Sequence, residues 1–361
     1  MKITLIAGAR PNFMKIAPIM HALKRAKDKG EPLEYRLVHT GQHYDEKLSQ
    51  SFFRDLNIPA PDVNLEVGSG SQATQTANIM IRFEEELIAH PADYVLVVGD
   101  VTPTMACAIV AKKLNVKVIH VEAGLRSYDL RMPEEINRLV TDALADVFFT
   151  TTPEAGYNLI EKGVPKEQIY LVGNTMIDTL VANIGRLQQP AMFDELSLQA
   201  GGYITMTLHR PSNVDEEAKL SALIKLIGEK CADKTIIFPV HPRTRQNLEK
   251  ISDLPQNIHL TDPMGYLEFM YLIKNAFAVV TDSGGIQEET TFLGVPCLTL
   301  RENTERPETV SIGTNELLGL ETKAIAEAFD RLNSNNWKKG EIPVLWDGKT
   351  ADRIIKALLK L

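Results

Sequence analysis

Residues 276–289, with the sequence AFAVVTDSGGIQEE, predict an apolar strand, a turn containing two glycines and the start of a helix. Backbone N–H groups at the start of a helix attract anions, so the amides of Ser283, Gly284 and Gly285 are predicted to bind a phosphate group. Glu289 lies about one and a half turns into the helix, where a carboxylate can accept from ribose hydroxyls. The stretch indicates a nucleotide site; the alternative is a glycine-rich turn followed by an exposed acidic pair.

Short apolar runs alternate with amphipathic stretches along the rest of the chain, which is typical of βαβ units on a parallel sheet. At 361 residues the chain is long enough for two domains. We expect an N-terminal Rossmann-like domain at residues 1–173 and a second at 174–350, both doubly wound, with a cleft between them and a closing helix, 351–361, that packs back on the first. The predicted strands are 3–7, 35–39, 94–98, 116–121, 147–150, 169–172, 203–208, 235–240, 258–260, 276–280 and 296–300.

The composition is that of a globular protein, and the formal net charge of -8 disfavours nucleic acid or an anionic membrane as a partner. The cysteines Cys107, Cys231 and Cys297 are widely spaced, which suits a reducing cytoplasm. The first residues reach Gly8 and Arg10 too early for a signal peptide, and no apolar run is long enough to span a membrane. The histidines show no metal-binding spacing. These features predict a cytoplasmic protein without a metal.

Ligands of open α/β sheets bind at the carboxyl ends of the strands, and polar residues of the first half fall there. Arg10 and Lys15 flank the N-terminus of the helix after the first strand, where they would present positive charge to a phosphate; the alternative is two solvated cations at a helix start. Asp100 and Glu122 end two later strands, and Glu134 opens the next helix. Neighbouring carboxylates raise one another's pKa, which separates acid and base roles at one pH.

For Glu134 and Glu135 the alternative is an ordinary acidic first turn, which one of the two is expected to be. In the second half, His209 and His241 each begin a basic turn after a strand, and Arg306 lies on a loop beyond the glycine-rich turn. A lone histidine is more often structural than catalytic, but two basic turns beside a predicted diphosphate site favour function.

Eight motifs occur in order between Met1 and Gly313, and together they resemble the bacterial non-hydrolysing UDP-N-acetylglucosamine 2-epimerases. The resemblance implies the GT-B architecture, two Rossmann-like domains around a cleft, and a homodimer. The motifs are GARPNFMK (8–15), TGQHYD (40–45), VVGDV (97–101), HVEAGLRS (120–127), PEEINR (133–138), TLHRPSNVD (207–215), TDSGGIQEE (281–289) and RENTERPE (301–308).

The resemblance also implies roles for individual residues. Ser283, Gly284, Gly285 and Arg306 would hold the diphosphate with help from Arg10 and His209, and Glu289 would bind the ribose. Phe269 and the Met264 backbone would line the uracil pocket. The residues implicated in catalysis are Asp100, Glu122, Glu134 and His209, and further substrate-binding positions are Lys15, Gln42, His43, Arg138 and His241.

The implied reaction is reversible epimerisation at C2 of UDP-N-acetylglucosamine, serving surface polysaccharide synthesis. The hydrogen at C2 is barely acidic in the intact substrate, and departure of UDP acidifies it by making C1 oxocarbenium-like. Loss of the C2 proton gives 2-acetamidoglucal, and UDP then re-adds with protonation on the opposite face. No cofactor is needed, and the sequence does not assign which carboxylate is the acid and which the base.

Four alternatives remain open from the sequence. The motif style also resembles relatives that act on UDP-2,3-diacetamido uronic acids. A hydrolysing epimerase would release UDP and free sugar from the same intermediate. A GT-B glycosyltransferase would share the nucleotide site but have no use for the three carboxylates. A nucleotide-sugar sensor would bind its ligand without consuming it.

Overall fold

The structure is a computed structural model that describes residues 1–8, 10–41, 55–240, 242–248, 251 and 253–361. The chain divides into two compact units. Unit 1 comprises Met1–Ala182 and Val344–Leu361, and unit 2 comprises Asn183–Pro343. Among the described helices, none is both long and apolar enough to cross a membrane.

Unit 1 contains a seven-stranded parallel sheet in the order β3-β2-β1-β4-β5-β6-β7. Its central strands are continuous apolar runs, because helices cover both faces of a parallel sheet. The strands are β1 (Lys2–Ala7), β2 (Glu34–His39), β3 (Val63–Asn64), β4 (Tyr94–Val98), β5 (Lys117–Val121), β6 (Val147–Thr150) and β7 (Ile169–Leu171). The α-helices among its described residues are Arg10–Asp28, Gln72–Ala89, Thr102–Lys113, Pro133–Leu144, Pro153–Glu161, Thr175–Asn183 and Thr350–Leu358.

Unit 2 contains a six-stranded parallel sheet in the order β10-β9-β8-β11-β12-β13. In both sheets the strand order reverses beside the first strand, at β1/β4 and at β8/β11, which is where doubly wound sheets bind ligands. The strands are β8 (Tyr203–Thr207), β9 (Thr235–Pro239), β10 (Ile258–Thr261), β11 (Ala278–Thr281), β12 (Cys297–Thr299) and β13 (Asn315–Leu317). The α-helices are Met192–Glu195, Pro211–Val214, Glu217–Lys230, Pro242–Leu248, Tyr266–Asn275, Gly284–Leu293, Pro307–Ser311 and Thr322–Asn333.

Two short edge strands, β3 and β13, were not predicted from the sequence. Each has only two or three residues, too few to show a periodicity. β13 completes its ladder through pairing with β12.

The boundary between the units also differs from the sequence-based boundary at 173–174, because the helix Thr175–Asn183 is tied to unit 1. Asp178 accepts hydrogen bonds from the backbone amides of Thr350 (3.0 Å) and Ala351 (2.7 Å), so it caps the C-terminal helix Thr350–Leu358. The Thr179 hydroxyl donates to the Met14 carbonyl. Only long-range contacts of this kind reveal which side of the boundary a connecting helix joins.

Candidate active-site residues in the two units

In unit 2, the ends of β8 and β11 bring together a histidine and an aspartate. Thr207 and Thr281 are register partners at the ends of these strands, and His209 and Asp282 follow them. The buried Asp282 accepts from His209 Nδ1 at 2.8 Å, from the Arg210 amide at 2.9 Å and from Asn213 Nδ2 at 2.9 Å. The His209 side chain is 57% exposed, so Asp282 orients a ring that is otherwise open to solvent.

The charge of Asp282 follows from its contacts. Burial alone would raise the pKa of Asp282, but the hydrogen bond and the charge of His209, together with two backbone amides, hold it below the usual range for an aspartate. An ionised aspartate at Nδ1 fixes the ring so that Nε2 can donate or exchange a proton. His209 is thus equipped to assist an anionic group.

The glycine-rich turn opens the helix Gly284–Leu293, as predicted. The Ser283 amide donates to Thr281 Oγ1 at 3.0 Å, so one of the three amides assigned to a phosphate is held within the turn. At Gly284 a Cβ atom would lie 2.6 Å from Glu305 Oε1, and Glu305 is buried in an ion pair with Arg301 (2.8 Å). The glycine therefore leaves room for the buried Glu305 side chain against the start of the helix.

Arg306 was predicted to hold the diphosphate, and the structure pairs it with a carboxylate on the helix Gly284–Leu293. Arg306 Nε lies 2.6 Å from Glu288 Oε1, and both side chains are buried. A phosphate bound by Arg306 would share the guanidinium group with Glu288.

Glu289, predicted to bind a ribose, is also buried. Its Oε1 accepts from the Tyr266 hydroxyl at 3.2 Å. Burial raises the pKa of Glu289 to about 8, while the Tyr266 hydrogen bond lowers it and the adjacent Glu288 raises it. The side chain is thus largely protonated at neutral pH, and a carboxylic acid can donate as well as accept a hydrogen bond.

The residues assigned to the uracil pocket lie around the start of the helix Tyr266–Asn275. Met264 is partly buried against a cluster that includes Tyr203 and Leu272, and Phe269 is half-buried in the first turn of the helix. The structure leaves their roles as predictions.

In unit 1, Glu122 follows β5 and Gly99 follows the adjacent β4, since Val98 and Val121 are register partners. Glu122 is buried, has a left-handed backbone (φ 66°), and its Oε2 lies 2.6 Å from Lys15 Nζ. Such a backbone is strained for a glutamate. Lys15 is therefore an ion-pair partner of Glu122 in this structure, where the sequence predicted a cation presented to phosphate.

Asp100 and Arg138, both predicted site residues, are in direct contact. Arg138 donates to Asp100 Oδ2 from Nε at 3.1 Å and from Nη2 at 2.8 Å, and its Nη1 donates to Glu135. Glu135 is buried and also accepts from the Ser127 amide at 2.9 Å, so it is a structural acid. Glu134 is only half-buried on the same helical turn, which leaves it as the candidate for chemistry.

Four predicted positions cannot be compared in this way. Gln42, His43 and His241 lie outside the described residues, and so does the side chain of Arg10. Their roles remain predictions.

Two buried acids and a histidine next to the predicted residues were missed by the sequence reasoning. Asp282 directly follows a buried strand, and the same sequence signal identified Asp100 and Glu122, so it could have identified Asp282 as well. His120 and Asp142 contact each other at 2.6 Å below the carboxylate-bearing turns. A histidine inside an apolar strand was the available signal for His120, whereas nothing in the sequence distinguishes Asp142 from the other acids of its helix.

Comparison with known proteins shows which family this chain resembles. The sequence profile of the UDP-N-acetylglucosamine 2-epimerases matches residues 25–359. A UDP-N-acetylglucosamine 2-epimerase of Methanocaldococcus jannaschii is 40% identical, covering 99% of each chain. A UDP-2,3-diacetamido-2,3-dideoxy-D-glucuronate 2-epimerase of Pseudomonas aeruginosa is 36% identical, covering 100% of each chain.

Solved structures are similar over the same length. The crystal structure of the M. jannaschii enzyme in complex with UDP-GlcNAc and UDP superposes with a TM-score of 0.88 at 39% identity. The Neisseria meningitidis UDP-GlcNAc 2-epimerase bound to UDP-GlcNAc superposes with a TM-score of 0.91 at 31% identity, and each covers 100% of both chains. The predicted fold class, GT-B-like with two Rossmann-like parallel-sheet domains, is confirmed. The chain belongs to the UDP-N-acetylglucosamine 2-epimerase family.

Proposed function

We propose that the protein catalyses the reversible, non-hydrolysing C2 epimerisation of UDP-N-acetylglucosamine to UDP-N-acetylmannosamine. The main support comes from unit 1, where Asp100 and Glu122 follow adjacent strands. Asp100 contacts Arg138, and Glu122 contacts Lys15. Each carboxylate is held in place by its own cation, so both are positioned to take part in proton transfer at C2.

The reaction balances with these groups and no cofactor. The bond from C1 to the diphosphate oxygen breaks with its electron pair leaving on UDP, and a carboxylate accepts the C2 proton. The result is the C1–C2 double bond of 2-acetamidoglucal. A carboxylic acid on the opposite face then returns a proton to C2 while the diphosphate oxygen attacks C1. Asp100, Glu122 and Glu134 are the candidates for these transfers, and they exchange roles in the reverse direction.

Unit 2 supplies the groups suited to the nucleotide. His209, oriented by Asp282, and the first amides of the helix Gly284–Leu293 would stabilise the charge that develops on the departing diphosphate. Glu289 would bind the ribose as a neutral acid, since its pKa is raised to about 8. The binding of Arg306 to phosphate would require its guanidinium to divide its donors between the ligand and Glu288.

Proton NMR in deuterated water tests the proposal with UDP-N-acetylglucosamine as the substrate. Formation of UDP-N-acetylmannosamine carrying deuterium at C2 is the expected result, because the proton removed exchanges with solvent before it returns. Free sugar and UDP would instead indicate a hydrolysing epimerase, and UDP binding without any change in the sugar signals would reject this substrate.

A second candidate substrate is UDP-2,3-diacetamido-2,3-dideoxy-D-glucuronate, favoured by the P. aeruginosa relative at 36% identity. The same NMR experiment with this sugar, run at equal concentration, compares the two through the ratio of kcat/KM values. A ratio in favour of the uronate would move the assignment to that substrate while retaining the C2 chemistry. A homodimer, a cytoplasmic location and a role in surface polysaccharide synthesis belong to the same proposal.

A further inference from the structure

His120, a fully buried residue of β5, links the segments that carry the candidate carboxylates of unit 1. Its Nδ1 lies 2.6 Å from Asp142 Oδ1, on the helix Pro133–Leu144. Its Nε2 lies 2.9 Å from the Gly99 carbonyl oxygen, in the turn after β4. Through one ring, the turn after β4 is therefore joined to the helix that carries Glu134 in its first turn.

The two partners of His120 fix its protonation. A backbone carbonyl has no proton to give, so Nε2 must donate to Gly99. Asp142 also accepts from Arg126 Nη1 at 2.6 Å and from the Gly124 amide at 3.1 Å. A buried guanidinium at this distance favours the ionised form of the Asp142 carboxylate. Nδ1 must then donate to an ionised carboxylate, and a ring with two donors is an imidazolium cation.

The position of the Gly99 peptide affects the candidate carboxylates on both sides of it. The Gly99 amide donates to the Val121 carbonyl at 2.9 Å, directly before Glu122. A Cβ atom at Gly99, whose φ is 70°, would lie 3.1 Å from Lys15 Nζ. Asp100 is the next residue, so a rotation of this peptide would move Asp100 and disturb the Lys15–Glu122 pair together.

We propose that His120 is a positioning residue, a buried imidazolium that fixes the Gly99–Asp100 turn and supplies positive charge beneath Asp100 and Glu122. This role rests on the proposed function, because it acts through the carboxylates assigned to proton transfer at C2. The charged groups around the ring are Asp142 and Arg126 in direct contact with each other, the Lys15–Glu122 pair beside Gly99, and Arg138 on Asp100.

The protonation state can be measured on the wild-type protein without an activity assay. Nitrogen NMR of protein labelled with ¹⁵N only in histidine distinguishes an imidazolium from either neutral tautomer by the shifts of the two ring nitrogens. The spectrum of His120→Gln assigns the signal. Two protonated ring nitrogens are expected, because both ring nitrogens face acceptors, and a neutral ring would overturn the proposal.

Two substitutions test the positioning role. The glutamine of His120→Gln can still donate towards Gly99, and the asparagine of His120→Asn towards Asp142, while both remove the charge. We expect kcat to fall about a hundredfold in at least one variant, as misplaced catalytic groups do. The acidic limb of the kcat profile should move to higher pH in both, because loss of a nearby cation disfavours carboxylate ionisation.

The controls separate positioning from folding. His21→Gln is the matched variant, since His21 Nε2 contacts the Asn57 carbonyl at 3.0 Å in the same unit, away from the carboxylates; it should leave kcat unchanged. UDP affinity should stay within about twofold in all three variants. A His120 variant that melts earlier but keeps kcat and its pH profile would reduce His120 to a structural residue. Wild-type protein inactive on both UDP-sugars would instead refute the proposed function, and the positioning role with it, whatever the NMR result.

Discussion

Replacing Glu289 by glutamine should make unit 2 more stable at high pH and remove part of its pH dependence. The pKa of Glu289 is raised from 4.5 to about 8 by burial. A folded-state pKa above the unfolded value means that the folded state binds the proton more tightly. The stabilisation is therefore complete below about pH 4.5 and is lost as the pH rises through about 8. Glutamine has no such titration.

The size of the effect follows from the shift. A difference between 4.5 and about 8 corresponds to an upper limit of about 5 kcal/mol, at about 1.4 kcal/mol per pH unit. Relaxation around the ionised group reduces this limit, so we expect the variant to gain about 2–4 kcal/mol over wild type between pH 5 and pH 9.

The free energy of unfolding of unit 2 can be measured at each pH by urea unfolding, followed by hydrogen exchange on peptides from the helix Gly284–Leu293. Glu327→Gln is the control, because Glu327 is 58% exposed in the same unit and should show no such trend. Tyr266→Phe removes a hydrogen bond that lowers the pKa of Glu289. In this variant, the loss of stability with rising pH should therefore occur at a higher pH than in wild type. Wild-type and Glu289→Gln curves that stay parallel from pH 5 to pH 9 would refute the reasoning.

Three further predictions concern other contacts. Glu122→Gln should abolish C2 proton exchange, measured by NMR, while UDP affinity stays within about tenfold, or about 1.4 kcal/mol; because the substitution leaves Lys15 buried without its anion, unit 1 should also lose about 3–5 kcal/mol, measured by urea unfolding. Gly284→Ala should destabilise unit 2 by about 1–3 kcal/mol through the 2.6 Å approach to Glu305, measured by urea unfolding. Asp178→Ala should cost about 1–2 kcal/mol and speed amide exchange at Thr350 and Ala351, measured by hydrogen exchange.

Each of these has a matched comparison. Lys15→Met combined with Glu122→Gln should be less destabilised than Glu122→Gln alone, and an additive double variant would contradict the ion-pair argument. Gly185→Ala has open space around its Cβ and should cost little; an equal loss there would show that the loss at Gly284 does not come from the approach to Glu305. Unchanged exchange at Thr350 and Ala351 in Asp178→Ala would show that the cap contributes nothing.

The sequence by itself determined the parallel α/β architecture and most of its strands. Apolar runs alternating with amphipathic stretches permit few other folds, and polar residues after each run mark the carboxyl ends of the strands. The motifs that identify the family include the polar residues that follow these strands. Asp100, Glu122, His209 and the glycine-rich turn were all found as residues that directly follow a strand.

The tertiary structure decided the partners of those residues. Lys15 is separated from Glu122 by 107 positions and His209 from Asp282 by 73, and neither spacing leaves a sequence signal. The pairing of Arg306 with Glu288, the raised pKa of Glu289 and the two contacts of the His120 ring likewise depend on which groups are buried together. Charge, tautomer and pKa are set by neighbours within a few ångströms, and parallel strand order, which the sequence does not encode locally, chooses those neighbours.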